Sequence, residues 1–156
     1  MKWEEGFEKL AFIAQNAGIE WWTTGRILLP LNGIDAEIDD VDFYFYINDL
    51  DAVCSVFQDY IVEPIVCGGS RAPTFGYNGM AHINGCDICM FTEPNTNIDV
   101  PVPSHFGPYA AANLITVIWR GFIIKTPPIE LYIKTLERWG KFEFAQSIKT
   151  ALQLTE

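Results

Sequence analysis

The residues best suited to chemistry in this chain are three aspartates set among apolar strand formers. In the run Asp39-Asp40-Val41-Asp42-Phe43-Tyr44-Phe45, acid alternates with apolar residue at the start of a strand pattern. Residues at i and i+2 of a strand share one face, about 6.5 to 7 Å apart along it. Two carboxylates placed that way repel each other unless a cation or water lies between them. Mg²⁺ relieves the conflict, because it takes a few carboxylates together with substrate phosphate oxygens. A third acid, Asp87, stands in Cys86-Asp87-Ile88-Cys89-Met90-Phe91, an apolar run where a plain core strand would not hold it. Beside the first strand it would complete a three-carboxylate cluster able to hold two metal ions about 3.5 to 4 Å apart for in-line phosphoryl displacement. The bland alternative is that Asp-x-Asp marks only a solvated strand edge. The third acid and a glycine turn upstream, Thr24-Gly25-Arg26, both argue against it. Asp39 points away from Asp40 and is read as a solvent-facing neighbour.

The elements that must position these acids are readable in order. Residues 3–17 form an expected helix, with Trp3, Phe7, Leu10, Ala11 and Ala14 recurring at three and four, and Gly18 as its stop. Ile19 to Thr24 suggest a strand, and Arg26 to Gly33 a short helix limited by Pro30. Residues 41–47 are a strand by composition. Asn48 is the expected N-cap of a helix over residues 49–61, with Leu50, Val53, Val56, Phe57 and Tyr60 on one face. Glu63 to Val66 form a short strand, and residues 67–79 a glycine-rich loop. Asn84-Gly85 joins Met80–Ile83 to Cys86–Phe91 as a hairpin. Residues 93–109 read as a proline-rich loop. A second hairpin turns at Arg120-Gly121. Pro127-Pro128 open a helix in its first turn, and a last helix covers residues 141–154. Hairpins mixed with helices predict an α+β fold, a mixed β-sheet with flanking helices gathered on one face.

Composition narrows the function classes. At 156 residues, 49% hydrophobic and 14% aromatic, the chain is expected to fold as one domain over 1–156 with a real core. The formal net charge of −10, with only 10 Lys and Arg, disfavours life on DNA or RNA. No window reads as a membrane span, and the acidic start MKWEEGFEKL lacks the apolar core of a signal peptide. A cytoplasmic protein is expected. Cys54, Cys67, Cys86 and Cys89 are expected to be free thiols. Cys86 and Cys89 form a CxxC without a second half-site, and three residues apart on a strand they face opposite ways, so zinc is disfavoured.

The order of these motifs resembles the nucleotidyltransferase superfamily of the DNA polymerase β type, over roughly residues 20 to 141. In that family a strand ends in a Gly-Gly or Gly-Ser turn leading to a short helix, a strand with Asp-x-Asp follows, and a later strand supplies a third Asp. Thr24-Gly25-Arg26, then Asp40 and Asp42, then Asp87 stand at those places. The likeness is closest to small lincosamide- and aminoglycoside-type enzymes and to toxin-type nucleotidyltransferases, which carry an Asp-Asp-Ile-Asp stretch. In those, an apolar hairpin after the third acid leads to a helix with Lys and Arg, matched here by Lys134 and Arg138. Arg26 departs from the usual small residue, and Lys141-Phe142 from a common Lys-Asp pair. The resemblance implies an enzyme that moves a nucleoside monophosphate from ATP or another NTP to an acceptor hydroxyl of a small molecule or protein. It implies Mg²⁺ held by Asp40, Asp42 and Asp87, with Asp87 assisting deprotonation of the acceptor. Thr24, Gly25, Arg26 and Lys134 would serve the nucleotide; Gly25 lets the backbone approach the triphosphate, and Arg26, Arg71 or Lys134 would neutralise phosphate charge.

Other readings stand beside this one. A catalytically degenerate module of the same fold would bind a nucleotide or a protein partner without transfer; Arg26 and the scarcity of cations favour it. A plain α+β interaction domain would leave the acids merely solvated. His82 is read as a satisfied structural histidine. His105 is read as a surface residue, with acceptor binding as the alternative. The aromatic run Trp21, Trp22, Phe43, Tyr44, Phe45 and Tyr46 is read as core and sheet surface. Apolar strand edges leave room for a homodimer.

Overall fold

The computed structural model describes residues 3–69, 76–94 and 96–155. Helix α1 (Trp3–Asn16) turns its apolar stripe inward and ends at Gly18, whose φ of 67° a side chain would resist. Five strands form the main sheet: β1 (Trp21–Trp22), β2 (Asp40–Phe45), β3 (Ile61–Cys67), β4 (Tyr77–Ile83) and β5 (Cys86–Phe91). Their order is β1-β2-β5-β4-β3. Strands β2 and β5 run parallel; the other pairs are antiparallel, so the sheet is mixed. The β4–β5 hairpin turns at Asn84-Gly85, both with positive φ, as a two-residue turn between right-twisted strands requires.

One face of the sheet carries Val41, Phe43, Phe45, Ile88 and Met90 against Phe7, Leu10 and Ala14 of α1 and against Val53 and Phe57. Gly6 lets α1 lie on the β4–β5 turn, since a methyl there would overlap Cys86 Cβ and the Ile83 carbonyl oxygen. The other face is not bare. Trp22, Tyr44, Cys89 and Phe91 are covered by Ala110 of α4 (Pro108–Ala112), with Leu131 of α5 (Ile129–Arg138) packed beside them. Helices therefore flank both faces, which corrects the expectation of one. Leu28 and Leu29 of α2 (Leu28–Leu31) bind a third apolar cluster to Ile129, Tyr132 and Ile133 of α5 and to Ala145 and Ile148 of α6 (Phe142–Thr155). Strands β6 (Ile115–Trp119) and β7 (Phe122–Thr126) make a separate ribbon turning at Arg120-Gly121. The Thr23 N–H donates to the Lys125 carbonyl (3.0 Å) and ties that ribbon to the end of β1.

Several local expectations are corrected. Pro30 sits inside α2, where the first turn tolerates it; Asn32 and Gly33, with φ of 85° at the glycine, end the helix instead. Asn48 lies in a 3₁₀ turn (Ile47–Asp49), so Asp49 precedes the helix α3 (Leu50–Val56), without a side-chain cap bond. That helix stops at Val56, and Ile61 already belongs to β3. Tyr77, Asn78 and Gly79 are strand rather than loop, because Asn78 and Gly79 pair with β5 and Tyr77 pairs with Cys67 of β3. Residues 93–109 are not all loop: a 3₁₀ turn (Thr96–Asp99) and the start of α4 lie within them. Pro127 and Pro128 precede α5 rather than sit in its first turn; Pro128 is extended, with ψ of 142°. All four cysteines are free thiols. Cys86 packs among the α1 side of the core and Cys89 on the opposite face, as their spacing predicts. Among the described residues no helix is long and apolar enough to cross a membrane.

Candidate functional site

Register brings the acids to one edge. Strands β2 and β5 are parallel neighbours with Asp40 opposite Asp87 and Asp42 opposite Cys89. Paired residues on adjacent strands share a face, so Asp40, Asp42 and Asp87 stand together at the end where both strands begin. Deeper on the same face, Tyr44 stacks on Trp22 at 4.2 Å and Phe91 lies 5.1 Å from Tyr44. The acids are thus a polar rim on an aromatic floor. That floor is buried, so the aromatics serve packing here.

The three carboxyls differ in surroundings. Asp40 is exposed. Asp42 is only partly accessible, and its carboxyl is enclosed by protein; burial first, and then the charge of Asp40, raise its pKa from 3.8 to about 7. The Tyr44 hydroxyl below it is also harder to ionise, through burial and then the charge of Asp42. Asp87 is half exposed and meets His82, its partner across the hairpin, with Oδ1 2.7 Å from Nδ1. His82, read from the sequence as a satisfied structural histidine, has its partner in the third acid and is half exposed. The signal was in the sequence: His82 and Asp87 lie two places to either side of the Asn84-Gly85 turn, so a two-residue hairpin must pair them.

The glycine turn closes over this edge. Thr23 Oγ1 donates to the Asp42 carbonyl (2.6 Å), holding the end of β1 to β2. Gly25 follows with φ of 94°, a conformation that suits glycine. A Cβ built on it would lie 3.7 Å from Asp42 Oδ2, so the turn passes directly beside that carboxylate. Thr24 is buried, and its hydroxyl donates to the His105 carbonyl (2.9 Å), which fastens the turn from behind. Arg26 is exposed, its guanidinium 5.1 Å from the ring centre of Phe144. Lys134 is exposed on α5 and lines a depression of about 300 Å³ with Val102, Pro103, Tyr109, Leu131 and Arg138. That lining contains none of the three aspartates. Arg71 lies outside the described residues.

His105 is not at the surface. It is 6% exposed, ringed by Phe106, Tyr132 and Trp139, and its Nδ1 has no hydrogen-bond partner. Burial, and then nearby Arg138, lower its pKa to about 3, so it is neutral. Nothing in the proline-rich sequence around it signals that burial.

Among the described residues no three Asp, Glu, His or Cys side chains gather closely enough to hold a metal ion by themselves. The donor set nonetheless suits Mg²⁺, which is bound through one or two carboxylates plus substrate phosphates rather than by an all-protein cage. The enclosed, hard-to-ionise Asp42 beside Asp40 is the kind of pair that a cation stabilises.

No family model matches the sequence, and no curated protein matches it. Solved structures do. A candidate nucleotidyltransferase from Thermotoga maritima superposes with a TM-score of 0.66 at 15% identity, covering 97% of this chain and 92% of that one. ANT(2″)-Ia in complex with adenylyl-2″-tobramycin gives 0.51 at 13% identity, covering 96% and 95%. The solution structure of the antibiotic-resistance factor ANT(2″)-Ia gives 0.53 at 13%, covering 99% and 94%. With its mixed sheet and flanking helices, and with neighbours that match along nearly their whole length, the chain has the nucleotidyltransferase fold.

Proposed function

We propose that this chain is a single nucleotidyltransferase domain over 1–156 that moves a nucleoside monophosphate from an NTP to a hydroxyl of a small-molecule or protein acceptor, with Mg²⁺. The observation that carries the reading is the Gly25 turn lying beside Asp42, with Asp40 and Asp87 in register on the parallel strands. Asp40 and Asp42 would hold the nucleotide-associated Mg²⁺, and Asp87 would contribute to a second. The ion supplies charge neutralisation for the phosphates. Gly25 allows the backbone to approach the triphosphate, and Arg26 offers a cation next to it. In the transfer, the acceptor oxygen bonds to the α-phosphorus as the bond from that phosphorus to the bridging oxygen breaks. Pyrophosphate leaves, and Asp87 takes the hydroxyl proton. The 2.7 Å contact of His82 Nδ1 with Asp87 Oδ1 orients that carboxylate.

The bound adenylyl-2″-tobramycin of ANT(2″)-Ia supports a hydroxyl-bearing small molecule as the acceptor and ATP as the donor. The net charge of −10 argues against nucleic acid. Four free thiols and the lack of a membrane-spanning helix among the described residues support a cytoplasmic setting. A homodimer remains part of the proposal through the exposed apolar residues Ile115 and Ile118 of β6. One observation favours a second reading, a nucleotide- or partner-binding module without transfer: the described acids do not close into a three-ligand metal group.

Calorimetric titration of a non-hydrolysable ATP analogue, with and without Mg²⁺, tests the first reading. Wild type should bind in a Mg²⁺-dependent way, and Asp40→Ala/Asp42→Ala should not. Pyrophosphate release with a panel of hydroxyl acceptors then separates enzyme from binding module. Turnover undiminished in Asp42→Asn would sink the assignment of that residue.

A further inference from the structure

The glycine turn places Arg26 one residue from the backbone that passes beside Asp42. A long exposed arginine would ordinarily sample many rotamers and lose that freedom on meeting a phosphate. Here it is held. Its guanidinium lies 5.1 Å from the ring centre of Phe144 on α6, within cation–π range. Phe144 is in turn braced edge-on by Tyr132 of α5 (6.4 Å, 89°), itself 6% exposed. Tyr132 also feels Arg26 electrically: the nearby guanidinium partly offsets the effect of burial on its hydroxyl. Behind these rings, Leu28 and Leu29, just past the turn, share one apolar cluster with α5 and α6. The C-terminal helices therefore grip both the turn and the cation that projects from it.

Resting on the reading of this edge as an NTP site, we infer that Phe144 is a positioning residue that holds the Arg26 guanidinium as a ready clamp for the β- and γ-phosphates beside Gly25. The chain has only 10 Lys and Arg against 20 Asp and Glu, so a triphosphate near three aspartates needs a cation fixed in place. A planar guanidinium stacked on a ring keeps its donor edge free for phosphate oxygens. In this arrangement a bulky residue at the turn is an asset, because its side chain is drawn away from the backbone path toward α6.

The test is a double-mutant cycle read by calorimetry, with a non-hydrolysable ATP analogue plus Mg²⁺ and, separately, AMP. Phe144→Leu should weaken analogue binding by about five-fold, the size of one cation–π contact, and leave AMP binding unchanged. Phe144→Tyr should restore the affinity. In an Arg26→Ala background, Phe144→Leu should have no further effect. Arg26→Lys, which keeps the charge and loses the stack, should match Phe144→Leu; it covers the case in which the leucine variant does not fold. Full affinity in Arg26→Lys overturns the inference, as does an equal loss from Phe144→Leu with and without Arg26. Absence of any Mg²⁺-dependent binding by wild type would instead remove the underlying reading, and the inference with it.

Discussion

Asp42→Asn should stabilise the metal-free protein at alkaline pH, an unusual outcome for a change at a candidate catalytic residue. Burial and the charge of Asp40 raise the Asp42 pKa from 3.8 to about 7. The folded chain then binds more protons than the unfolded chain between those values, so stability falls as pH rises through that window. Each pKa unit is worth about 1.4 kcal/mol. Near pH 8 the ionised carboxylate costs up to about 4 kcal/mol; near pH 5 the cost is under about 2 kcal/mol. Asparagine keeps the shape and never ionises, so it should remove that cost. Urea unfolding without Mg²⁺, with a slope of about 2 kcal/mol per molar, should show the variant's midpoint higher by up to about 2 M near pH 8. The gain should shrink steadily toward pH 5. Asp40→Asn should give a smaller gain, because Asp40 is the lesser cause of the shift. Adding Mg²⁺ and the ATP analogue should stabilise wild type and leave Asp42→Asn unchanged. An unchanged or lower midpoint for Asp42→Asn near pH 8, or a gain that does not vary with pH, would refute the reasoning.

Two further predictions concern the frame around the site. His105 has a pKa lowered to about 3 by burial and by Arg138, so its share of stability is intact above the unfolded value of 6.5 and is lost as pH falls toward 3. Acidification from about pH 6.5 to 4.5 should cost about 2 to 3 kcal/mol through this group; His105→Phe should flatten that slope in acid-dependent urea melts, and NMR should show no titration of the wild-type ring between about pH 5 and 8. Gly6→Ala should destabilise by about 1 to 3 kcal/mol, because the added methyl meets Cys86 and the Ile83 carbonyl in a packed contact. A thermal midpoint equal to wild type would contradict the close seating of α1 on the β4–β5 turn.

Much of this site is legible in local sequence because it depends on short-range rules. Alternation along Asp40-Val41-Asp42-Phe43 sends acid and core residues to opposite faces whatever the neighbouring strand is. Asn84-Gly85 and Arg120-Gly121 fix two hairpins, since both residues of such turns must take positive φ. The first of these also dictates that His82 faces Asp87. Capping was less readable: Asn48 and Pro128 each sit one step from the expected role, because a 3₁₀ turn and an extended N-cap are set by packing as much as by residue type.

Long-range placement belongs to the tertiary structure. Composition cannot say that β2 runs parallel to β5 with Asp40 opposite Asp87, since register between strands over 40 residues apart depends on which apolar faces must be buried together. Nor could it seat buried His105 behind the turn, draw Arg26 toward Phe144, or leave Lys134 in a depression lined by none of the three acids. The sequence alone determined which side chains could do chemistry and which faces they take. The packing of α5 and α6 against α2 decided that the Arg26 guanidinium lies over Phe144, because only burial of that shared apolar cluster brings the C-terminal helices to the glycine turn.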